Sequence, residues 1–154
     1  MLDDQQTLLL DDFIPYLLSV LASRLSVGLA SVYEQRFGIS IAEWRVLAHL
    51  SSNQAVSTRE ITAQAHMDKS KVSRAVARLE EAGLVAKRVN IADRRLVELS
   101  MTRKGQRLFE QIVPLALDYQ RRVLSNLTPD EGEFLREIIG RLLSKLPSTS
   151  VDEN

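Results

Sequence analysis

The most constraining feature of this chain is a change of hydrophobic period at Gly83. Before it, residues 57–82 alternate with helical spacing in two short blocks; after it, LVAKRV (84–89) and RLVELSM (95–101) alternate with a period of two. Ser57 and Glu60 form a capping-box pattern for a helix of about 57–65. His66–Met67 makes a tight turn, and Asp68 or Ser70 caps a second helix that runs to Ala82. Gly83 is placed to close its last turn in the left-handed region. The polar segment NIADR joins the two strands. Helix, brief turn, helix and hairpin in this order outline a winged helix-turn-helix.

The rest of the chain reads as helix around that head. Phe13, Leu17, Leu21, Leu25, Leu29 and Val32 recur at three- or four-residue steps in a helix of about 12–36, with Asp11 or Asp12 as cap and Gly38 as terminator. Ser40 and Glu43 open a helix of about 40–51, with Trp44, Leu47 and Leu50 inward, and Asn53 and Gln54 form a polar break after it. Thr102 caps a helix to about Asn126, which Pro114 should bend. Thr128, Pro129 and Glu131 open a last helix to about Leu146. The expected fold is mainly α with a small β-hairpin wing. Residues 40–101 form the winged head, 1–39 and 102–147 a helical dimerisation region, and 148–154 a polar tail. The outer helices hold more Leu, Ile, Val and Phe than a head of this size can cover, which calls for a second subunit.

Charge distribution indicates what the head meets. The chain is formally neutral, but residues 57–105 hold 11 Lys/Arg against 6 acids, a local charge of +5. A basic middle in an acidic body fits one face turned to phosphates; the alternative is scatter over solvated helix faces. In DKSKVSRAVARLEEAG, Val72, Val76 and Leu79 take the inner face. Lys69, Ser70, Ser73, Arg74 and Arg78 then point outward, where they offer donors to base edges and phosphate oxygens. Ser70, Ser73, Ala75 and Ala77 are small enough for close approach. The same pattern alone would also suit an ordinary amphipathic surface helix. Asp93, Arg94 and Arg95 lie at the hairpin tip, where an arginine can enter a narrow minor groove; a bare solvated turn is the plainer reading of the triplet. Ser57, Thr58, Arg59, Lys87 and Arg88 are further phosphate-contact candidates.

STREITAQAHMDKSKVSRAVARLEEAGLV followed by DRRLVELSMTRKG resembles the MarR (multiple antibiotic resistance regulator) family, over roughly residues 13–146. The specific parts are S-x-V-S-R at 70–74, LEEAGLV at 79–85, and Asp93 and Arg95 leading to Ser100-Met101-Thr102. The resemblance implies a homodimer on palindromic double-stranded DNA; repression is the expected action, with activation left open by the residues. It also implies Ser70, Lys71, Ser73 and Arg74 facing the major groove, Arg95 as the minor-groove residue of the wing and Asp93 as its organiser. The cysteine of the peroxide-sensing branch is missing, because the chain has none. Thiol oxidation is therefore not the switch. Head spacing supplies another: a small-molecule effector, aromatic or anionic, wedged between body and head would bias the dimer toward a DNA-incompetent geometry. Trp44, Arg45 and His49 lie between body and head and could hold one. Their plainer roles are core packing for Trp44, a helix cap or inter-helix salt bridge for Arg45, and a partly exposed helix position for His49.

An enzyme is disfavoured. With two His, no Cys, no Gly-rich phosphate loop and no His/acid metal spacing, no catalytic residue, cofactor or metal site is expected. A winged-helix architectural or protein-interaction module without effector is the competing reading. MLDDQQTLLLDD lacks the basic start of a secretion signal, and no run approaches the roughly 18 uninterrupted apolar residues of a bilayer span. The expectation is a cytoplasmic protein with no membrane partner.

Overall fold

The computed structural model describes residues 8–52, 56–95 and 97–146. Six helices and three short strands follow in the order α1 (Ile14–Phe37), α2 (Ile41–Ser52), β1 (Val56–Ser57), α3 (Thr58–Ala65), α4 (Lys69–Glu81), β2 (Val85–Val89), β3 (Val97–Met101), α5 (Arg103–Leu124) and α6 (Pro129–Lys145). The helices and the hairpin fall where their period and caps indicate. Asn53, Gln54 and the tail at 148–154 lie outside the described residues.

Local chemistry sets the boundaries. Three capping boxes are complete, at Ser40/Glu43, Ser57/Glu60 and Thr128/Glu131. Each Ser or Thr hydroxyl accepts the N3 amide, and each Glu carboxylate accepts the cap residue's own amide, which satisfies two donors the helix cannot. Gly38 (φ 65°) ends α1 and Gly83 (φ 72°) follows α4, both left-handed, as a residue without Cβ allows. Two expected caps differ. Asp11 and Asp12 belong to a 3-10 turn at Leu10–Asp12, and Phe13 is the N-cap of α1, with no side-chain bond. Asp68 is the N-cap of α4, but its side chain accepts no cap hydrogen bond; its carboxylate lies 3.3 Å from Lys71 Nζ instead. Helix α5 continues through Pro114, whose missing N–H removes one intrahelical bond.

The sheet has one strand more than the hairpin. β1 pairs antiparallel with β3 (Val56 opposite Leu99), so the order is β1-β3-β2. Two residues are too few to show an alternating pattern, which is why their sequence did not announce a strand. The inner face of the hairpin, Val85 and Leu99, closes the core formed by Val46, Leu47, Ile61, Val72, Val76 and Leu79. Ala30 and Tyr33 of α1 and Ile112 of α5 reach into the same core and tie the head to the body. At the junction, Trp44 stacks between Tyr33 (centroids 5.6 Å) and Phe109 (5.2 Å).

The body leaves apolar side chains uncovered in the single chain. Helix α6 buries no residue. Leu17, Leu18 and Leu21 of α1, Leu117 of α5, and Phe134, Ile139, Leu142 and Leu143 of α6 are all exposed. By length and composition α1 would also suffice to cross a membrane, although Ser19, Ser23, Arg24 and Ser26 interrupt it and no uninterrupted apolar run of that length exists. Its C-terminal half is held in the fold, with Tyr33 1% exposed and the Tyr119 hydroxyl of α5 donating to Leu25 O (3.1 Å).

Candidate nucleic-acid interface

Helix α4 is amphipathic in the sense its spacing requires. Val72, Val76 and Leu79 are buried, which turns Lys69, Ser70, Lys71, Ser73, Arg74 and Arg78 outward to solvent. Ala75 is the exception to the expected small-residue approach. It is 4% exposed and packs in the core, leaving Ser70, Ser73 and Ala77 on the outer side. The helix is fixed at both ends. α3 leads into it through His66, a left-handed residue (φ 50°), and Lys104 Nζ caps its last turn on Ala82 O at 2.7 Å. Thr102 also donates its hydroxyl to Gly83 O (2.7 Å), so the start of α5 grips the end of α4.

The wing is organised by short side chains. Asp93 Oδ1 accepts the Arg95 amide at 3.0 Å, and Asn90 Oδ1 accepts the amides of Ala92 (2.8 Å) and Asp93 (3.3 Å). Asn90 Nδ2 donates to Glu98 Oε1 (2.9 Å), which bonds the tip to β3. These bonds replace the backbone pairing that the ladder cannot provide at a turn. Arg94 and Arg95 are exposed at the tip. Asn90 is a site residue the sequence reading missed; its signal was an Asn directly at the end of an alternating run, a position that favours an Asx turn.

The cations of this face divide into two groups. Arg59, Lys69, Arg74, Arg88, Arg94 and Arg95 are exposed and make no ion pair among the described residues. Lys71 pairs with Asp68, Lys87 with Glu80 of α4 (3.0 Å), and Arg78 with Glu43 of α2 (3.7 Å). The first two are solvated pairs, weak and readily exchanged for a phosphate. The third involves a carboxylate only 7% exposed. Ser57 and Thr58 are half-buried at the start of α3, and the Ser57 hydroxyl is engaged in its capping box. The Glu60 carboxyl there is held below its ordinary range by the Ser57 amide and hydroxyl.

Trp44, Arg45 and His49 sit in three different settings. Trp44 is committed to its aromatic stack, Arg45 is exposed and His49 is half-buried. Burial pushes the His49 imidazole below its ordinary pKa, and the positive charges of His66 and Arg45 push the same way. An apolar groove lies elsewhere, between α1, α5 and α6, with a volume of about 510 Å³ and Leu25, Leu29, Tyr119 and Leu135 among its walls. Among the described residues no cluster of His, Cys, Asp or Glu could hold a metal ion.

A reading helix with free cations on its outer face, beside a hairpin tipped with two arginines, defines a winged helix-turn-helix DNA-binding protein. The sequence pattern of the MarR family matches residues 37–96. The chain is similar to the HTH-type transcriptional repressor MdtR of Bacillus subtilis (strain 168), at 32% identity over 97 residues, 63% of each chain. It is also similar to the crystal structure of a MarR/EmrR family transcriptional regulator from Acinetobacter sp. ADP1, with 28% identity and a TM-score of 0.81 over 90% of this chain and 97% of that one. BpsR of Bordetella bronchiseptica, whose DNA binding is regulated by 6-hydroxynicotinic acid, shares the fold at 23% identity and a TM-score of 0.81, covering 92% of this chain and 99% of that one. The family's pattern thus covers the winged head, and the relatives and solved structures that this chain resembles are MarR-family and HTH-type transcriptional regulators.

Proposed function

We propose that this regulator acts as a homodimer on a palindromic duplex operator, as a cytoplasmic repressor released by a small aromatic or anionic ligand. The observation that carries the dimer is the coincidence of exposed apolar side chains on α1, α5 and α6 with a last helix that buries none of its own residues. Leaving so much apolar surface in water is unfavourable, and helices from both chain ends can cover each other across a two-fold axis. Two heads then present their α4 helices about one DNA turn, roughly 34–36 Å, apart.

On each half-site, Lys69, Ser70, Lys71, Ser73 and Arg74 enter the major groove, and Arg95 enters the minor groove, with Asp93 holding its backbone and Arg94 beside it. Arg59, Arg88, Lys87, Ser57 and Thr58 flank that path as phosphate contacts. The effector would act by biasing the dimer away from the head spacing that fits DNA. The regulation of BpsR by 6-hydroxynicotinic acid suggests a first probe class, small aromatic acids.

The test is a salt series of DNA affinity together with sedimentation of the free protein. The expected result is a dimer whose log K falls by roughly 0.9 per phosphate contact for each tenfold rise in salt. A strictly monomeric protein, or one that ignores duplex at low ionic strength, overturns the proposal. An effector-free architectural module remains the reading to adopt if a panel of aromatic acids leaves affinity unchanged.

A further inference from the structure

Glu43 is the one charged side chain buried among the described residues, at 5% exposure. Its two oxygens have separate duties. Oε2 accepts the Ser40 amide (3.1 Å) in the capping box of α2, while Oε1 faces Arg78 Nη1 at 3.7 Å. Burial of a carboxylate is costly unless donors surround it, and among the described residues the one cation paired with it comes from the reading helix. Arg78 is otherwise well placed for DNA. It lies one turn beyond Arg74 on the outer side of α4, its side chain is 75% exposed, and Lys71, Arg74 and Arg78 share one groove with Ser40 and Glu43. A phosphate that recruited Arg78 would leave Glu43 buried with the Ser40 amide as its remaining donor.

We propose that Glu43 withholds Arg78 from DNA, so that the carboxylate at the start of α2 holds affinity below what the cations of α4 could deliver. This rests on the reading of α4 as the DNA-facing helix. Arg78 is then a positioning residue that ties α4 to α2, not a phosphate contact. The pair differs from Lys71–Asp68 on the same helix, where both partners are about half-exposed and neither is desolvated by letting go.

The experiment measures the affinity of the full chain for a fluorescent duplex of arbitrary sequence across a salt series, for wild type, Glu43→Gln, Arg78→Met and the double variant. Glutamine keeps an acceptor for the Ser40 amide but loses the charge that holds Arg78. The expected result is that Glu43→Gln tightens binding roughly fivefold to tenfold near 0.1 M salt and steepens the log–log slope by about 0.9, one phosphate contact. Arg78→Met leaves the wild-type slope unchanged, and the double variant returns to it. Two results overturn the proposal: a slope shallower by about 0.9 in Arg78→Met alone, or a gain from Glu43→Gln that persists without Arg78, which would be mere removal of a negative charge. Should Glu43→Gln fail to fold by circular dichroism, the slope of Arg78→Met decides alone. Arg74→Ala and Arg95→Ala separate the two levels. If they lower the slope while Glu43→Gln does not raise it, only this proposal fails; if wild type binds no duplex at low salt, the DNA reading itself fails.

Discussion

Arg95 projects from the wing with its backbone amide fixed on Asp93 Oδ1 and its guanidinium free. Such an arginine gains most where the minor groove is narrow and its potential most negative. Arg95→Ala is therefore expected to cost about 1–3 kcal/mol of binding on operators with A·T-rich flanks and less on G·C-rich ones; equal losses on both, in a gel-shift comparison, would count against minor-groove insertion. Asp93→Ala should leave the melting temperature nearly unchanged, since the site is exposed, yet weaken the same DNA selectively by letting the wing backbone relax. Gly28 shows a different kind of residue constraint. A Cβ there would collide with the Tyr119 hydroxyl, which docks on α1 by donating to Leu25 O. Gly28→Ala should push Tyr119 off α1 and destabilise the fold by about 1–3 kcal/mol, measurable by urea titration.

At the scale of elements, α3 and α2 each carry a titrating group with a definite sign. The Glu60 carboxyl is depressed by its bonds to Ser57, so its stabilising contribution is present above the ordinary carboxylate range and lost as pH falls through the lowered folded value. The His49 imidazole, depressed first by burial and then by His66 and Arg45, binds its proton more readily in the unfolded chain. Stability should thus begin to fall as pH drops through about 6.5, and fall further in the carboxylate range. Thermal melts from pH 8 to pH 4 check this. If His49→Gln melts with the same pH profile as wild type down to about pH 5, the assignment of the first step to His49 is wrong. At the alkaline end, burial, reinforced by Glu34, pushes the Tyr33 hydroxyl up to about 12, so its core position stays neutral through ordinary pH.

For the whole molecule, the proposed dimer makes the distance between two heads the decisive quantity, and the body would set it. Charges introduced at Leu21 and Leu142, both exposed in the single chain, should halve the sedimenting mass without unfolding the head and should abolish tight operator binding. Trp44 is the single tryptophan and is stacked between body and head, so its fluorescence offers a direct report of any effector that moves one against the other. An aromatic acid that releases DNA while leaving that emission unchanged would place the switch away from the Tyr33–Trp44–Phe109 stack.

Local order was legible in the chain. The capping boxes at 40, 57 and 128, the terminating Gly38 and Gly83, and the change of period beyond residue 83 each act within a few residues, so the sequence alone determines them. The inward set Val72, Val76 and Leu79, and hence the outward cations of α4, follows from the same short-range geometry. What spacing could not decide depends on partners far along the chain. β1 exists because Val56 finds Leu99 across the sheet. Ala75 is buried because of how far the core wraps around α4. Glu43 reads locally as a helix cap, and only the packing of α2 against α4 buries its second oxygen and sets it against Arg78. A side chain's burial and its long-range charge partner belong to the tertiary arrangement, because desolvation is imposed by every neighbour at once and not by the residues beside it in the sequence.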